Sequence, residues 1–168
     1  MSKPRILWMS NAPWVGTGYG IQASKVIPYL KEHPDIDDVA LYCYYGLQGN
    51  FARLQVGRHR IDCYPMGTDA HGNDIVGDWM NDFKANVLIT LLDVFITKPQ
   101  FGAEGWRWCP YAPVDHDPLP DVFKERFANA YMPIVYSKFG QRMCRDAGID
   151  TWYVPHGVET DIFKPRNK

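Results

Sequence analysis

The sequence lacks the features that mark metal-binding, secreted and membrane-spanning chains. Its 168 residues contain four cysteines, which lie far apart and form no C-x-x-C pair: Cys43, Cys63, Cys109 and Cys144. Zinc sites and disulfide frameworks use closely grouped cysteines, so we expect reduced, partly buried thiols in a cytoplasmic protein. The N-terminal apolar run RILWMS is too short for a signal peptide or a transmembrane segment.

The sequence also lacks a surplus of charge of either sign. It has 18 Lys and Arg against 19 Asp and Glu, a formal net charge of −1, and its basic residues are scattered. Nucleic-acid-binding domains carry clustered basic residues, so no nucleic-acid partner is indicated. With 46% hydrophobic residues in 168, the chain is long and apolar enough to form one domain with a substantial core.

Strand-like and helix-like patterns alternate along the chain. The predicted strands are 5–10, 38–45, 52–56, 60–66, 86–93, 107–114, 132–137 and 151–155, and the predicted helices are 20–31, 73–85, 121–130 and 138–148. Pro28 lies inside the first helix and predicts a kink there. This alternation predicts an α/β domain with a mostly parallel, twisted sheet and helices on both faces.

Several polar residues indicate where the helices begin and end. Asn73 or Asp74 is predicted to cap the second helix, and Ser137 to cap the fourth. Gly148 is predicted to end the fourth helix. Ligands of open parallel sheets gather at the carboxyl ends of the strands, so the residues that follow strands are the candidates: 11–20, 45–46, Asp93, 115–117 and Ser137.

The stretch NAPWVGTGYG, with Gly16, Gly18 and Gly20, lies between the first strand and the first helix. Such a loop lets backbone N–H groups approach a phosphate at a helix N-terminus. Its spacing is G-x-G-x-G rather than G-x-G-x-x-G, and the second strand ends in YYG without an acidic residue, which argues against NAD or FAD. No G-K-[ST] follows, which argues against a P-loop. A tight turn whose glycines only relieve crowding remains the alternative.

The second dense group of polar residues is Asp115, His116 and Asp117 in APVDHDPLP. A histidine between carboxylates can donate directional hydrogen bonds or transfer a proton. Alternatively, the aspartates only cap turns and the histidine is solvated. A metal site is disfavoured because no second histidine lies at helical spacing. Loop aromatics could also stack on a sugar or base: Trp14, Tyr19 and Trp106.

Taken together, four segments resemble the N-terminal half of a GT-B glycosyltransferase, most closely the retaining family 4 enzymes. They are ILWMSNAPWVGTGYGIQASKVIPYL, ANVLITLLDVF, PIVYSKFGQRMCRDAGI and YVPHGVETDIFKP. The resemblance covers nearly the whole chain except 46–72. It implies that residues 1–155 form a Rossmann-like three-layer domain, one half of a GT-B architecture. Residues 156–168 would then begin the interdomain linker, with the C-terminal donor-binding domain absent.

The resemblance also implies roles for individual residues. Gly16, Thr17, Gly18 and Tyr19 would lie beside the donor phosphates and the acceptor. His116 would lie near the reacting sugar with Asp115 beside it, and both are expected to be catalytic. Asp93 and Asp117 are expected to bind substrate. No metal and no cofactor other than the nucleotide-sugar substrate is expected, since retaining GT-B enzymes meet the diphosphate charge with basic side chains and helix dipoles.

The predicted function is therefore the acceptor-binding half of a retaining glycosyltransferase. Its partners would be a nucleotide-sugar, an acceptor, and the missing donor-binding domain in cis or in trans, and the chain alone is expected to be inactive. The alternative is a stand-alone, non-catalytic Rossmann-like module that binds a carbohydrate, a nucleotide or a partner protein. A nucleotide-dependent epimerase or reductase is disfavoured, because the sequence also lacks a Y-x-x-x-K pair in a suitable helix.

Overall fold

The computed structural model describes residues 3–56, 58–98, 101 and 105–165, and this part contains eight strands and four α-helices. The strands are β1 Arg5–Asn11, β2 Asp38–Tyr45, β3 Ala52–Val56, β4 His59–Tyr64, β5 Val87–Leu91, β6 Arg107–Ala112, β7 Ile134–Val135 and β8 Trp152–Tyr153. The helices are α1 Gly18–Glu32, α2 Val76–Asp82, α3 Asp121–Ala128 and α4 Lys138–Asp146. All predicted strands and helices are present, with ends that differ by a few residues.

The strands form one sheet in the order β3-β4-β2-β1-β5-β6-β7-β8. All neighbours are parallel except β3, which runs antiparallel to β4 at the edge. The chain passes from β1 to β2 on one side of β1 and later adds β5 on the other side. The order therefore reverses between β1 and β5, and open α/β sheets bind ligands beside the carboxyl ends of the strands at such a switch point.

Alternating side chains along the strands supply two separate cores. In β1, Leu7 and Met9 belong to the core beneath α2, α3 and α4. Ile6 and Trp8 belong to the core beneath α1, with Ile27 of that helix. Parallel strands that are covered on both faces read as continuous apolar runs, as RILWM does. The structure thus confirms the α/β, Rossmann-like three-layer fold with a mostly parallel sheet.

The helix-cap predictions for α4 are confirmed. The Ser137 side chain accepts a hydrogen bond from the Gly140 backbone N–H at 2.9 Å. Gly148 follows the last turn with a φ of +76°, a conformation that glycine adopts without a Cβ clash. Helix α1 runs through Pro28; the predicted kink stays a prediction.

The cap prediction for α2 is wrong. Ile75 is the residue at the N-cap and makes no side-chain cap bond. The Asp74 carboxylate instead accepts hydrogen bonds from the backbone N–H groups of Thr68 and Asp69 at 2.7 and 3.0 Å. Asn73 bridges to another loop, since its amide donates to the Ile96 carbonyl at 3.0 Å. Both side chains form hydrogen bonds to loop backbone, so neither is available to cap the helix.

The thiol prediction is confirmed, because all four cysteines are free and buried. Among the helices in the described ranges, none has the length and apolar character needed to cross a lipid bilayer.

Candidate functional site

The candidate site lies at the carboxyl ends of the parallel strands, around the switch point between β1 and β5. The glycine loop follows β1, Asp93 follows β5, and the turn at 115–117 follows β6. Because parallel neighbours carry their carboxyl ends to one edge, the topology brings these three predicted segments to the same side of the domain.

The glycine loop is held by polar contacts from the end of β1. The Asn11 amide donates to Thr17 Oγ1 at 2.8 Å, and Thr17 Oγ1 caps α1 by accepting from the Gly20 N–H at 3.1 Å. Asn11 is 8% exposed, and its Oδ1 has no hydrogen-bond partner within the described ranges. No hydrogen bond in those ranges occupies the N–H of Gly18 or Tyr19. The first turn of α1 therefore offers two free donors beside an unused acceptor.

The three glycines of the loop differ in what the fold requires of them. A Cβ at Gly20 would lie 2.5 Å from the Val15 carbonyl oxygen and 2.7 Å from that of Ala12. Gly20 therefore relieves crowding, as the alternative interpretation proposed. A Cβ at Gly16 or Gly18 would meet nothing within 4 Å, and neither residue has a positive φ. The fold gives no steric reason for glycine at these two exposed positions.

Tyr19 connects the glycine loop to the end of β5. Its hydroxyl donates to Asp93 Oδ1 at 3.4 Å and contacts the hydroxyl of Tyr136, which follows β7. Burial, together with Tyr136 and Asp93, raises the pKa of Tyr19 above its ordinary value. Burial and Asp93 also raise the pKa of Tyr44 to about 12. These phenols stay protonated at neutral pH and can donate to a ligand oxygen or to Asp93.

The 115–117 turn carries an exposed histidine–carboxylate pair. His116 Nδ1 lies 2.6 Å from Asp115 Oδ1, with 56% and 77% of the two side chains exposed. The short distance favours a proton on Nδ1, which leaves Nε2 free to accept a hydrogen bond from a hydroxyl. Burial raises the pKa of Tyr136, and the negative charges of Asp93 and Asp115 raise it further. Asp115 is therefore close enough to the Tyr19–Tyr136 pair to interact with it electrostatically. Asp117 is exposed and has no side-chain hydrogen bond in the described ranges.

The turn is anchored by buried neighbours on both sides. Val114 and Leu119 are 5% and 3% exposed. A Cβ at Gly140 would lie 2.9 Å from Val114 Cβ, so the first turn of α4 packs directly on the residue before Asp115. The exposed polar side chains of the turn are therefore held between two buried residues.

His156 is a member of the site that the sequence did not predict. Its ring lies 4.1 Å from the Tyr136 ring in a tilted stack and 5.2 Å from the Tyr111 ring in an edge contact, measured between centroids. Its Nε2 is buried and has no hydrogen-bond partner in the described ranges. The available signal was its position three residues after the end of β8, at the same carboxyl ends of the strands as the other candidates.

The predictions for the loop aromatics have mixed outcomes. Tyr19 lies in the site, as described. Trp14 is 48% exposed and donates its indole N–H to the Gly46 carbonyl at 2.9 Å, beside the glycine loop. Trp106 precedes β6, at the opposite ends of the strands from the candidate site, and its ring packs near Gly77 of α2. That it stacks on a sugar or base stays a prediction.

No group of three His, Cys, Asp or Glu side chains is arranged for metal binding in the part of the chain that the structure describes. That the site works without a metal stays a prediction.

We expect His156 to make stability depend on pH. Burial lowers the pKa of its imidazole, so the unfolded chain binds the proton more readily than the folded one. Stability from this residue is present above the unfolded pKa, near 6.5, and is lost as pH falls through the lower folded pKa. The melting temperature should therefore fall from pH 7 to pH 5, and His156→Phe, which keeps the ring, should flatten that slope. An unchanged slope would contradict the assignment; His33→Phe is the control.

Comparison with known protein families and with curated proteins finds no family model and no curated protein that matches this chain.

Proposed function

We propose that this chain is the acceptor-binding half of a retaining GT-B glycosyltransferase, which moves a sugar from a nucleotide-sugar donor to an acceptor. The observation that carries the proposal is the convergence of three predicted segments at the carboxyl ends of β1, β5 and β6. There the free helix N-terminus, Asp93 and the Asp115–His116 pair belong to one sheet edge. The three segments are distant along the chain, with 74 positions between Tyr19 and Asp93 and 22 between Asp93 and Asp115. They meet in the fold because β1, β5 and β6 are neighbours in the sheet.

The N-terminus of α1 suits the phosphate groups of a nucleotide-sugar. The free N–H groups of Gly18 and Tyr19 are donors, and the positive end of the helix dipole favours an anion. The first turn of α1 contains no acidic residue that would repel one. The absence of a Cβ at Gly16 and Gly18 leaves room for a phosphate oxygen to approach the backbone. The fold itself does not require glycine at either position, so ligand binding would explain both.

The Asp115–His116 pair suits the acceptor hydroxyl. With its Nδ1 proton held by Asp115, His116 can accept the hydroxyl hydrogen at Nε2 as the acceptor oxygen bonds to the anomeric carbon. The bond from that carbon to the diphosphate oxygen breaks, and the nucleoside diphosphate leaves with the electron pair. Asp93 accepts the Tyr19 hydroxyl through Oδ1, which leaves its second carboxylate oxygen and the Tyr19 hydroxyl oxygen as acceptors for further hydroxyls. A carbohydrate, which carries many hydroxyls that both donate and accept, matches this mixture of groups. Donor-sugar recognition is assigned to a second domain that would follow residue 168.

The test is transfer by the longer protein that this proposal requires, with its donor-binding domain present. It should convert a nucleotide-sugar to a glycoside of unchanged anomeric configuration, read by NMR of the fresh product. The isolated chain should transfer no sugar and should bind nucleotide-sugars with a dissociation constant on the order of millimolar. Transfer with inversion, or tight and saturable binding by the isolated chain in a calorimeter, would contradict the proposal.

A further inference from the structure

The segment that follows β8 turns one side chain into the domain. Residues 152–155 and 157–165 are exposed, and His156 between them is half-buried. Its ring lies on the Tyr136 ring, with 4.1 Å between the centroids and 31° between the ring planes, and its edge contact with Tyr111 is 5.2 Å between centroids. The segment is therefore fixed to β6 and to the end of β7 through the His156 ring.

The Tyr136 ring is held on two sides. Besides the stack with His156, it makes an edge contact with Tyr111, with 5.7 Å between the centroids and 80° between the planes. Because the oxygen of a phenol lies in the plane of its ring, the neighbours that fix the ring also fix where the hydroxyl lies. His156 and Tyr111 together therefore determine the position of the Tyr136 hydroxyl.

Tyr136 connects these rings to the candidate site. Its hydroxyl contacts the hydroxyl of Tyr19, which donates to Asp93 Oδ1 at 3.4 Å. Tyr19 is the second residue of α1 and directly follows Gly18 of the glycine loop. A continuous series of side-chain contacts thus joins His156 to the glycine loop and to the end of β5.

The backbone around His156 is bound on both sides of the ring. Before it, the Val154 carbonyl accepts a hydrogen bond from the Tyr111 hydroxyl at 2.8 Å. After it, the Gly157 carbonyl accepts one from the Gln22 amide of α1 at 3.1 Å. These two bonds limit the movement of the His156 backbone and keep its ring against Tyr136.

We infer that His156 is a positioning residue of the candidate site. Its ring holds the Tyr136 ring, and Tyr136 in turn keeps the Tyr19 hydroxyl beside Asp93. Displacement of 154–157 would release Tyr136 and alter the first turn of α1. In the proposed glycosyltransferase this segment leads towards the donor-binding domain, so movement of that domain would be coupled to the glycine loop through one ring. The effect on sugar transfer rests on the proposed function, and the effect on Tyr19 does not.

The experiment first follows Tyr19 and Asp93 by NMR in the 168-residue chain without ligand. The tyrosines carry ¹³C at Cζ, whose chemical shift reports hydrogen bonding of the hydroxyl, and the backbone carries ¹⁵N. His156→Ala should shift the Tyr19 Cζ signal and the Asp93 amide signal. His156→Phe keeps a ring against Tyr136 and should leave both signals near their wild-type positions.

Tyr136→Phe tests the middle of the connection, because it removes the hydroxyl and keeps the ring. It should shift the same two signals as His156→Ala. The double variant should show little change beyond Tyr136→Phe alone, since both substitutions act through one hydroxyl and their effects are then not additive. Trp152→Ala, at an exposed aromatic residue of β8, is the control and should leave both signals unchanged.

The second measurement is steady-state kinetics of the longer protein. His156→Ala should lower kcat about tenfold or more, since a small displacement of groups in the site weakens the alignment of the reactants. His156→Phe should restore most of this loss, and Trp152→Ala should leave kcat unchanged. A residue that only filled space would lower the melting temperature without this difference between alanine and phenylalanine in kcat.

Three results would overturn the inference. Unchanged Tyr19 and Asp93 signals in a folded His156→Ala variant would show that the ring positions nothing in the site. Additive shifts from His156→Ala and Tyr136→Phe would show that the two residues act separately. Shifted signals with wild-type kcat in an active longer protein would remove the role in transfer.

Two further arms keep the test decisive. His156→Leu, which keeps much of the side-chain volume without a planar ring, replaces His156→Ala if that variant does not fold, and the same shifts are expected. Shifted signals together with a longer protein that transfers no sugar would support the connection from His156 to Tyr19 and contradict the proposed function alone.

Discussion

Gly18→Val is expected to lower turnover of the longer protein by about 10²-fold while leaving the fold intact, whereas Gly20→Val is expected to destabilise the fold itself. The two residues are two positions apart, and the substitution is the same. A Cβ at Gly18 has open space around it, so valine clashes only with a ligand that approaches the backbone. A Cβ at Gly20 would lie 2.5 Å from the Val15 carbonyl oxygen.

The stability difference should be large enough to measure without substrate. Overpacking of this kind costs about 3 kcal/mol or more when the obstacle is backbone, and in a domain of this size that lowers the melting temperature by about 6–12 °C. Gly18→Val should stay within about 2 °C of the wild type, since it alters an exposed position. Thermal melts of both variants check the fold, and steady-state kinetics of the longer protein check the site. Normal turnover of a folded Gly18→Val variant would show that the loop is a turn without a role in ligand binding.

His116→Ala is expected to lower kcat of the longer protein by about 10²-fold or more, the usual contribution of a positioned proton-transfer group. The melting temperature should stay within a few degrees of the wild type, because the side chain is 56% exposed. Asp115→Asn should give a smaller loss in kcat, since it weakens the group that orients the imidazole and leaves the imidazole in place.

The control for His116 is His33→Ala. His33 is an exposed histidine at the end of α1, at the opposite ends of the strands, and its Nδ1 accepts a hydrogen bond from the Asp35 N–H. It should leave kcat unchanged. A modest loss of stability with normal kcat in His116→Ala would mean that this residue supports the turn through its contact with Phe123, whose ring centroid is 5.9 Å away, and takes no part in transfer.

The fold could be predicted from the sequence because the apolar patterns that define each strand and helix also determine which residues form the core. Asp38–Tyr45 is a strand with the predicted ends, and its apolar run is buried by whichever helices cover the sheet. Ala52–Val56 also has the predicted ends, although Ala52 and Leu54 are only half-buried at the edge of the sheet. Ser137 caps α4 as predicted because its backbone partner lies three residues away. Such local contacts do not depend on how distant segments pack.

Features that depend on distant packing could not be predicted. Asp74 lies one residue before Ile75, the N-cap of α2, and its carboxylate accepts hydrogen bonds from the 68–69 backbone instead. The sequence gives three equivalent glycines, and only the approach of the Ala12 and Val15 carbonyls separates Gly20 from the other two. His156 belongs to a polar stretch that reads as a linker, and its ring contacts come from β6 and the end of β7.

The most direct test of the account is an NMR titration of the ¹⁵N-labelled chain with a nucleotide-sugar, which maps where the ligand binds. The account predicts weak binding, on the order of millimolar, with shifts confined to the backbone amides of 16–19, Asp93, 115–117 and His156. Gly18→Val should remove these shifts, and the amides of β3 and β4, at the far edge of the sheet, should not move. Shifts that cluster away from the carboxyl ends of β1, β5 and β6, or no shifts at these amides at saturating ligand, would contradict the account.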